Sequence, residues 1–420
     1  MKEKIIALLT NKQNSNLVIY GMGQGFNLIT PLLVIPYIIS ICGVENYGKA
    51  SIGMAISFFI MVFIDYGSDI IGVKEVAVNR ENTIALEQTF ITTFTAKLIL
   101  LLAVLICTAS VFYFVPFFNT EKPLFFLGLP ILVGQFLNPT WFLQGVEDFK
   151  WITILTIFSK LIYLFGIFFF IHDKGDYIFI NLWWGIGTIT ANAIALLYVM
   201  RKHQFTFANT QKEDVVSLLK GNFSIFFSQI FVSLQMYAPI MLIGFFGNNL
   251  MAGQFKIVEQ IIVVFKTYIL LFFNFVYPRV CYLLEQNLRD AMSFWKTYNG
   301  ANLLFIALSM AAIYVFSEEA VLYFSKTEVH EISELLQLAV LIPLAMGISI
   351  PLKQLLLGFN QQKRYVTITM TMVFVNLAAM IILLPSYGIY GVLLTLILTE
   401  AATVVLYYVN LRRRITPQTV

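Results

Sequence analysis

The sequence predicts an all-α integral membrane protein of about twelve transmembrane helices, in two six-helix bundles related by a pseudo-two-fold axis along the membrane normal. Three observations carry this expectation. The chain is almost wholly built of apolar runs of spanning length, the Lys and Arg of its short loops fall on alternate sides, and elements of the first half recur in the second.

The apolar runs come first. One crossing of the hydrocarbon core needs roughly 20 apolar residues, and no soluble core repeats such runs back to back. Of the 420 residues 59% are hydrophobic and only 12% charged, where a soluble domain carries about 25%. Backbone in lipid must satisfy its own hydrogen bonds, which leaves helices or a closed barrel. These runs are too long and too uniformly apolar for barrel strands, which alternate over roughly ten residues. The expected spans are 17–42, 50–72, 93–115, 123–143, 151–171, 177–200, 222–246, 253–278, 300–317, 334–357, 365–384 and 388–410. The ninth is bounded by an acidic stretch from Ser317 to Ser333, expected as an outer-face loop with a short amphipathic piece.

Loop charge sets the orientation. One set of loops and tails holds eighteen Lys and Arg, from Lys2 and Lys4 to Arg412, Arg413 and Arg414; the opposite set holds Lys49, Lys122, Lys174 and Lys326. The positive-inside rule then places both termini in the cytoplasm and makes the number of spans even. The net charge of +4 is accounted for by this distribution and calls for no nucleic acid. The longest inner linker, 201–220, separates an N-terminal bundle over 1–200 from a C-terminal bundle over 221–420.

The halves resemble each other. Gly145 and Gly358 each follow a proline, Pro139 or Pro351, each precede a Lys by five residues, and each lie after the fourth helix of a half. Gly43-Val-Glu-Asn-Tyr47-Gly48 after the first helix faces Gly247 to Gly253 in the second half. An even number of helices per half makes the repeats enter the membrane in the same direction, as in transporters whose site lies between two halves.

Intramembrane charge marks candidate chemistry, because a charge at mid-depth costs at least about 2.5–3.5 kcal/mol and so faces an interior or a partner. Lys160, Lys256, Lys266, Glu259 and Glu400 are candidates for a polar lumen; Lys256, Glu259 and Lys266 fall within an arc of about 80° on one helix. Asp65 and Asp69, four apart in the second span, are candidates for proton or sodium coupling or for an ion pair with Lys97. Lys97 and Lys353 also lie near enough to the inner interface to snorkel. Gly21 and Gly25 form a GxxxG suited to close helix packing, and Trp183 and Trp184 suit an outer aromatic belt. The sequence contains no GxxxxGK[ST] for nucleotide hydrolysis, and Cys42, Cys107 and Cys281 have neither disulfide nor metal spacing. No cofactor and no metal are expected.

Gly43 to Gly48, Asp65-Tyr-Gly67, Lys74-Glu-Val-Ala with Asn79-Arg80, Pro139-Thr-Trp141-Phe-Leu-Gln144-Gly145-Val-Glu147, and Tyr277-Pro278-Arg279 together resemble the polysaccharide (O-antigen repeat-unit) flippases of the multidrug, oligosaccharidyl-lipid and polysaccharide exporter superfamily. The resemblance runs over the whole chain; the second-half motifs are degraded, and Gly67-Ser68 stands where Gly-Phe is usual. It implies two bundles in a V around a central lumen. The activity it implies is a non-enzymatic secondary transport, in which alternating access carries an undecaprenyl-diphosphate-linked oligosaccharide from the inner to the outer leaflet of the bacterial cytoplasmic membrane. It further implies a place in O-antigen, lipopolysaccharide or capsule synthesis, beside the polymerase and chain-length regulator. The competing readings are a cation-coupled multidrug or small-metabolite antiporter of the same superfamily, a peptidoglycan-precursor flippase, and, from another class, a membrane-embedded polysaccharide polymerase or ligase. The last would carry a large outer loop, and the longest outer segment here is short and acidic.

Overall fold

A computed structural model describes residues 12–206 and 211–415. Lys2, Lys4, both chain ends and positions 207–210 of the linker lie outside the described residues. The described chain is helical throughout and contains no strand. Its α-helices are α1 (Lys12–Asp65), α2 (Ser68–Val78), α3 (Thr83–Phe114), α4 (Lys122–Gly128), α5 (Pro130–Phe136), α6 (Thr140–Gly145), α7 (Phe149–Phe170), α8 (Ile180–His203), α9 (Lys212–Phe246), α10 (Asn249–Gln286), α11 (Leu288–Val315), α12 (Ser317–Leu322), α13 (Val329–Ala339), α14 (Leu341–Gly358) and α15 (Gln362–Ile415).

Ten stretches among the described residues are long and apolar enough to cross a membrane. Two of them, Gly21–Val78 and Gln362–Arg412, run to 58 and 51 residues, more than twice the ~20 that one crossing needs. Each is interrupted by a glycine with non-helical backbone, Gly43 at φ 84° and Gly388 at φ 56°. Counting these two stretches twice gives twelve crossings. The positive φ explains the glycines, since a Cβ disfavours that region.

The fourth expected span is a broken rod, α4, α5 and α6, with Pro123, Pro130 and Pro139 at or beside the helix starts, where a missing N–H costs nothing. The acidic stretch after α11 folds as α12 and the start of the amphipathic α13, whose Ile332, Leu335 and Leu336 are buried.

By packing, the chain divides into two compact units, Met1–Tyr237 and Ala238–Val420. In the first, a cluster at the Lys/Arg-rich end gathers Val76, Phe90, Phe94, Trp141, Phe142 and Val199. In the second, Val276, Val280, Leu355, Leu356, Tyr407 and Leu411 form the corresponding core. Lipid is as apolar as these side chains, so close backbone approach holds such helices together more than hydrophobic burial does. Small residues supply it: a Cβ on Gly185 would come within 2.7 Å of Pro130, and one on Gly187 within 2.6 Å of the Ser159 carbonyl.

The GxxxG of α1 is a correction. A Cβ on Gly21 or Gly25 would meet nothing within 4 Å, whereas Gly23 meets Thr153 at 3.2 Å. Gly23 lies two residues from each, on the opposite side of the helix, and that side is the one α7 packs on.

Candidate functional site

Asp65 closes α1, and Tyr66 and Gly67, at φ 45° and 79°, turn the chain into α2. The helix expected to carry both aspartates on one face is therefore broken between them. Asp65 points inward: its Oδ1 lies 2.9 Å from Lys97 Nζ of α3, and its Oδ2 accepts from Gln135 Nε2 of α5. Lys97 is only 2% exposed. Next to Gln135 in the chain, the Gly134 carbonyl accepts from the Asn192 amide of α8 at 2.7 Å, so four helices meet around this ion pair. Asp69, in the first turn of α2, is exposed and among the described residues forms no ion pair, though Asp65 and Lys97 are near enough to act on it electrostatically.

Lys160 of α7 is buried, and its ammonium sits 3.2 Å from the centroid of the Trp184 ring. Phe58 and Tyr163 pack on the same indole at 5.5 and 5.2 Å. Among the described residues no carboxylate and no hydrogen-bond acceptor contacts Lys160. Trp184 was expected in an outer aromatic belt; its ring is turned inward to Lys160, because a bare ammonium in an apolar span gains more from a π face than lipid can offer. Trp183 packs against Phe170 and over Gly166.

In the second unit, Lys256 and Glu259 of α10 pair at 2.6 Å, one turn apart. Glu400 of α15 accepts from the Ser349 hydroxyl of α14, and Lys266 and Lys353 are close enough to act on it electrostatically without forming an ion pair. The Lys353 ammonium lies over the Phe273 and Tyr365 rings at 5.3 and 4.9 Å. Three further polar contacts cross this unit: Asn299 to Gln354, Tyr268 to Asn302, and Asn376 to Thr399.

The motif residues do structural work. Trp141 lies against Gly72, where a Cβ would come within 2.7 Å of its ring, and a Cβ on Gly145 would come within 2.6 Å of Val76. Arg80 donates to the Gly145 carbonyl and pairs with Glu147 at 2.9 Å, which ties α2 to the end of α6. Pro139 caps α6, and Gln144 lies in its last turn. Tyr47 and Gly48 are buried behind Lys49, which pairs with Glu121 at 2.9 Å. Pro278 lies inside α10, and Arg279 covers the Tyr282 ring at 5.1 Å.

Sequence reasoning missed one clamp at the Lys/Arg-rich end. Asp148 Oδ2 accepts from Lys202 Nζ at 2.7 Å and from the Tyr198 hydroxyl at 2.9 Å, and Tyr198 stacks on Trp151. Burial pushes the Asp148 carboxyl up, but these hydrogen bonds and the Lys202 charge outweigh it and hold it below its ordinary value. Asp148 directly follows the motif's Glu147, and that adjacency was the available signal.

Twelve crossings among the described residues, with charges buried between them, define a polytopic α-helical membrane protein. Residues 14–283 match the family described as polysaccharide biosynthesis proteins, and the chain belongs to that family. This agrees with the membership expected from the Pro139 to Glu147 element. A protein of Escherichia coli K12 described as an O-antigen transporter is 25% identical over 280 residues, 66% of this chain and 68% of its own length. One of Shigella dysenteriae with the same description is 21% identical over 392 residues, 93% of this chain and 97% of its own. Among solved structures, an inward-facing multidrug resistance MATE family transporter of the MOP superfamily superposes with a TM-score of 0.74 at 13% identity, covering 92% of this chain and 94% of that one. The lipid II flippase MurJ, in an inward closed conformation, gives 0.70 at 15% identity over 94% and 87%. At these identities the two structures establish the fold alone.

Proposed function

We propose that the protein flips an undecaprenyl-diphosphate-linked oligosaccharide from the inner to the outer leaflet of the bacterial cytoplasmic membrane, by alternating access between an N-terminal and a C-terminal bundle. Family membership and the two relatives described as O-antigen transporters support a lipid-linked saccharide as cargo. The observation that carries the reading to the chemistry is Lys160, a cation buried in a span over Trp184 with no anionic partner among the described residues. An uncompensated charge in a membrane interior is costly, and a diphosphate or acidic sugar passing it supplies the missing anion. No bond is made or broken in such a transfer. The protein shields a polar headgroup while the polyprenyl tail stays in lipid, so the activity is transport and not catalysis.

The test is surface polysaccharide in a strain lacking the native gene and complemented with variants. Lys160→Ala is expected to reduce export at unchanged protein level, with Arg restoring more than Gln because charge is what is lost. Full export by Lys160→Ala would remove this residue from substrate handling, and failure of the wild-type chain to restore export would overturn the flippase reading.

A further inference from the structure

A second polar site lies in the first unit, with neither Lys160 nor the Asp65–Lys97 pair in its lining. A cleft of about 500 Å³ opens among α2, the start of α3 and the start of α9, at the Lys/Arg-rich end of the helices. That volume falls in the range of small-ligand clefts, about 300–1,000 Å³. Two of its lining side chains are unusual. Thr92 is 6% exposed and Asn222 5% exposed, yet among the described residues no hydrogen bond takes up either side chain and their polar atoms are not closed off from solvent. Two such groups, otherwise buried and open only toward one cleft, are free to bond whatever enters it.

The rest of the lining says what kind of partner. Glu75 and Asp214 bring carboxylates, Gln88 and Ser217 bring further donors and acceptors, and Ile71 and Leu218 bring apolar patches. Among the described residues no Lys or Arg lines the cleft, although Lys74 lies near enough to act on Glu75 electrostatically. Two carboxylates with no cation in the lining itself disfavour a diphosphate there. Neutral hydrogen-bonding groups of both kinds, carboxylate acceptors and small apolar surfaces match the hydroxyls and C–H faces of an uncharged sugar. The start of α2 packs on α9 as well: the Tyr66 and Phe226 rings stack at 4.2 Å, and a Cβ on Gly67 would approach Ile225 to 3.2 Å.

We propose that this cleft is a saccharide subsite for an uncharged, hydroxyl-rich sugar, with Thr92 and Asn222 as its buried hydrogen-bonding groups and Glu75 and Asp214 accepting from sugar hydroxyls at its rim. The inference rests on the flippase reading for its biological meaning. It divides the cargo chemically, anion toward Lys160 and neutral sugar toward the α2, α3 and α9 cleft. Its position at the Lys/Arg-rich end makes it accessible from the cytoplasmic face in the proposed orientation.

The test uses the full chain in inverted membrane vesicles, with Cys42, Cys107 and Cys281 replaced by Ala and Ser217→Cys introduced at the rim. The rate of modification by a membrane-impermeant maleimide is measured with glucose, galactose, mannose or N-acetylglucosamine, against betaine at equal osmolality. At least one sugar is expected to slow labelling threefold or more. That protection is expected to disappear with Asn222→Ala and with the near-isosteric Thr92→Val, and to survive Thr92→Ser, which keeps the hydroxyl and guards against a folding artefact. Equal rates with all four sugars, or protection undiminished in both Asn222→Ala and Thr92→Val, would overturn the subsite. Export in the complemented strain scores the flippase reading separately. A chain that restores export without sugar protection loses only the subsite, and one that is protected without restoring export loses only the function.

Discussion

Glu147 and Asn360 occupy the same backbone conformation, φ 61° and 58°, each two residues after the glycine that ends its helix, Gly145 or Gly358. The hydrogen bonds around them match as well. Asp148 N–H donates to the Leu143 carbonyl and Glu147 N–H to that of Gln144; Gln361 N–H donates to Leu356 and Asn360 N–H to Leu357. Both are Schellman ends, and they give the internal repeat a physical content that the degraded second-half motif conceals.

Asn360 offers a clean measurement because it is exposed and carries no ion pair. A left-handed residue that is β-branched is strained by about 1–3 kcal/mol. Asn360→Val is therefore expected to lower stability by an amount in that range, and Asn360→Gly to change it by less than about 1 kcal/mol, since glycine adopts this region freely. Thermal unfolding of the purified protein in detergent reads both. Equal stability of the Val and Gly variants would mean that the turn is not held left-handed.

Much of this architecture was legible from hydropathy, because a crossing of lipid demands an apolar run and loop charge demands a side. What escaped was local or distant in sequence. The Asp65-Tyr-Gly67 element was read within one continuous span, although a glycine behind a polar residue is the usual place for a left-handed turn. Lys160 and Trp184 are 24 residues apart on different helices, so no periodicity could bring them together. Thr92 and Asn222 each sit at the edge of an expected span, where a polar residue looks like an interface residue until the third helix of the cleft is placed.

The Asp148–Lys202 clamp makes a prediction about pH. Despite the opposing pull of burial, Asp148 is held below its ordinary value of 3.8 by its bonds to Lys202 and Tyr198. For the carboxyl, folded below unfolded means that its stabilisation is present above about pH 4 and is lost as pH falls through the lowered folded value. Asp148→Asn is expected to lower the thermal midpoint at pH 7 and to flatten its decline below pH 4. Since Lys202 is nearly half exposed, solvent screening keeps the effect small. A variant whose acid limb is as steep as that of the wild type would show that the clamp contributes nothing in acid.

The Asp65–Lys97 pair decides between structure and coupling. Removing one partner leaves the other charge buried and alone, which costs about 3–5 kcal/mol, whereas replacing both by apolar residues of similar size is often neutral. Lys97→Met and Asp65→Leu alone are each expected to destabilise strongly, because Gln135 can solvate one carboxylate oxygen but not neutralise it. The double variant is expected to recover most of the loss, with an interaction energy of several kcal/mol in the double-mutant cycle. Asp69, exposed and outside the ion pair, is expected to tolerate Asn with little change in stability. A pair that serves only to join α1 to α3 predicts that the stable double variant still exports glycan. It also predicts that transport into proteoliposomes keeps the wild-type response to an imposed proton or sodium gradient. A double variant that folds as well as the wild type but has lost export, or has lost only the gradient response, would transfer Asp65 and Lys97 from the scaffold to the transport cycle.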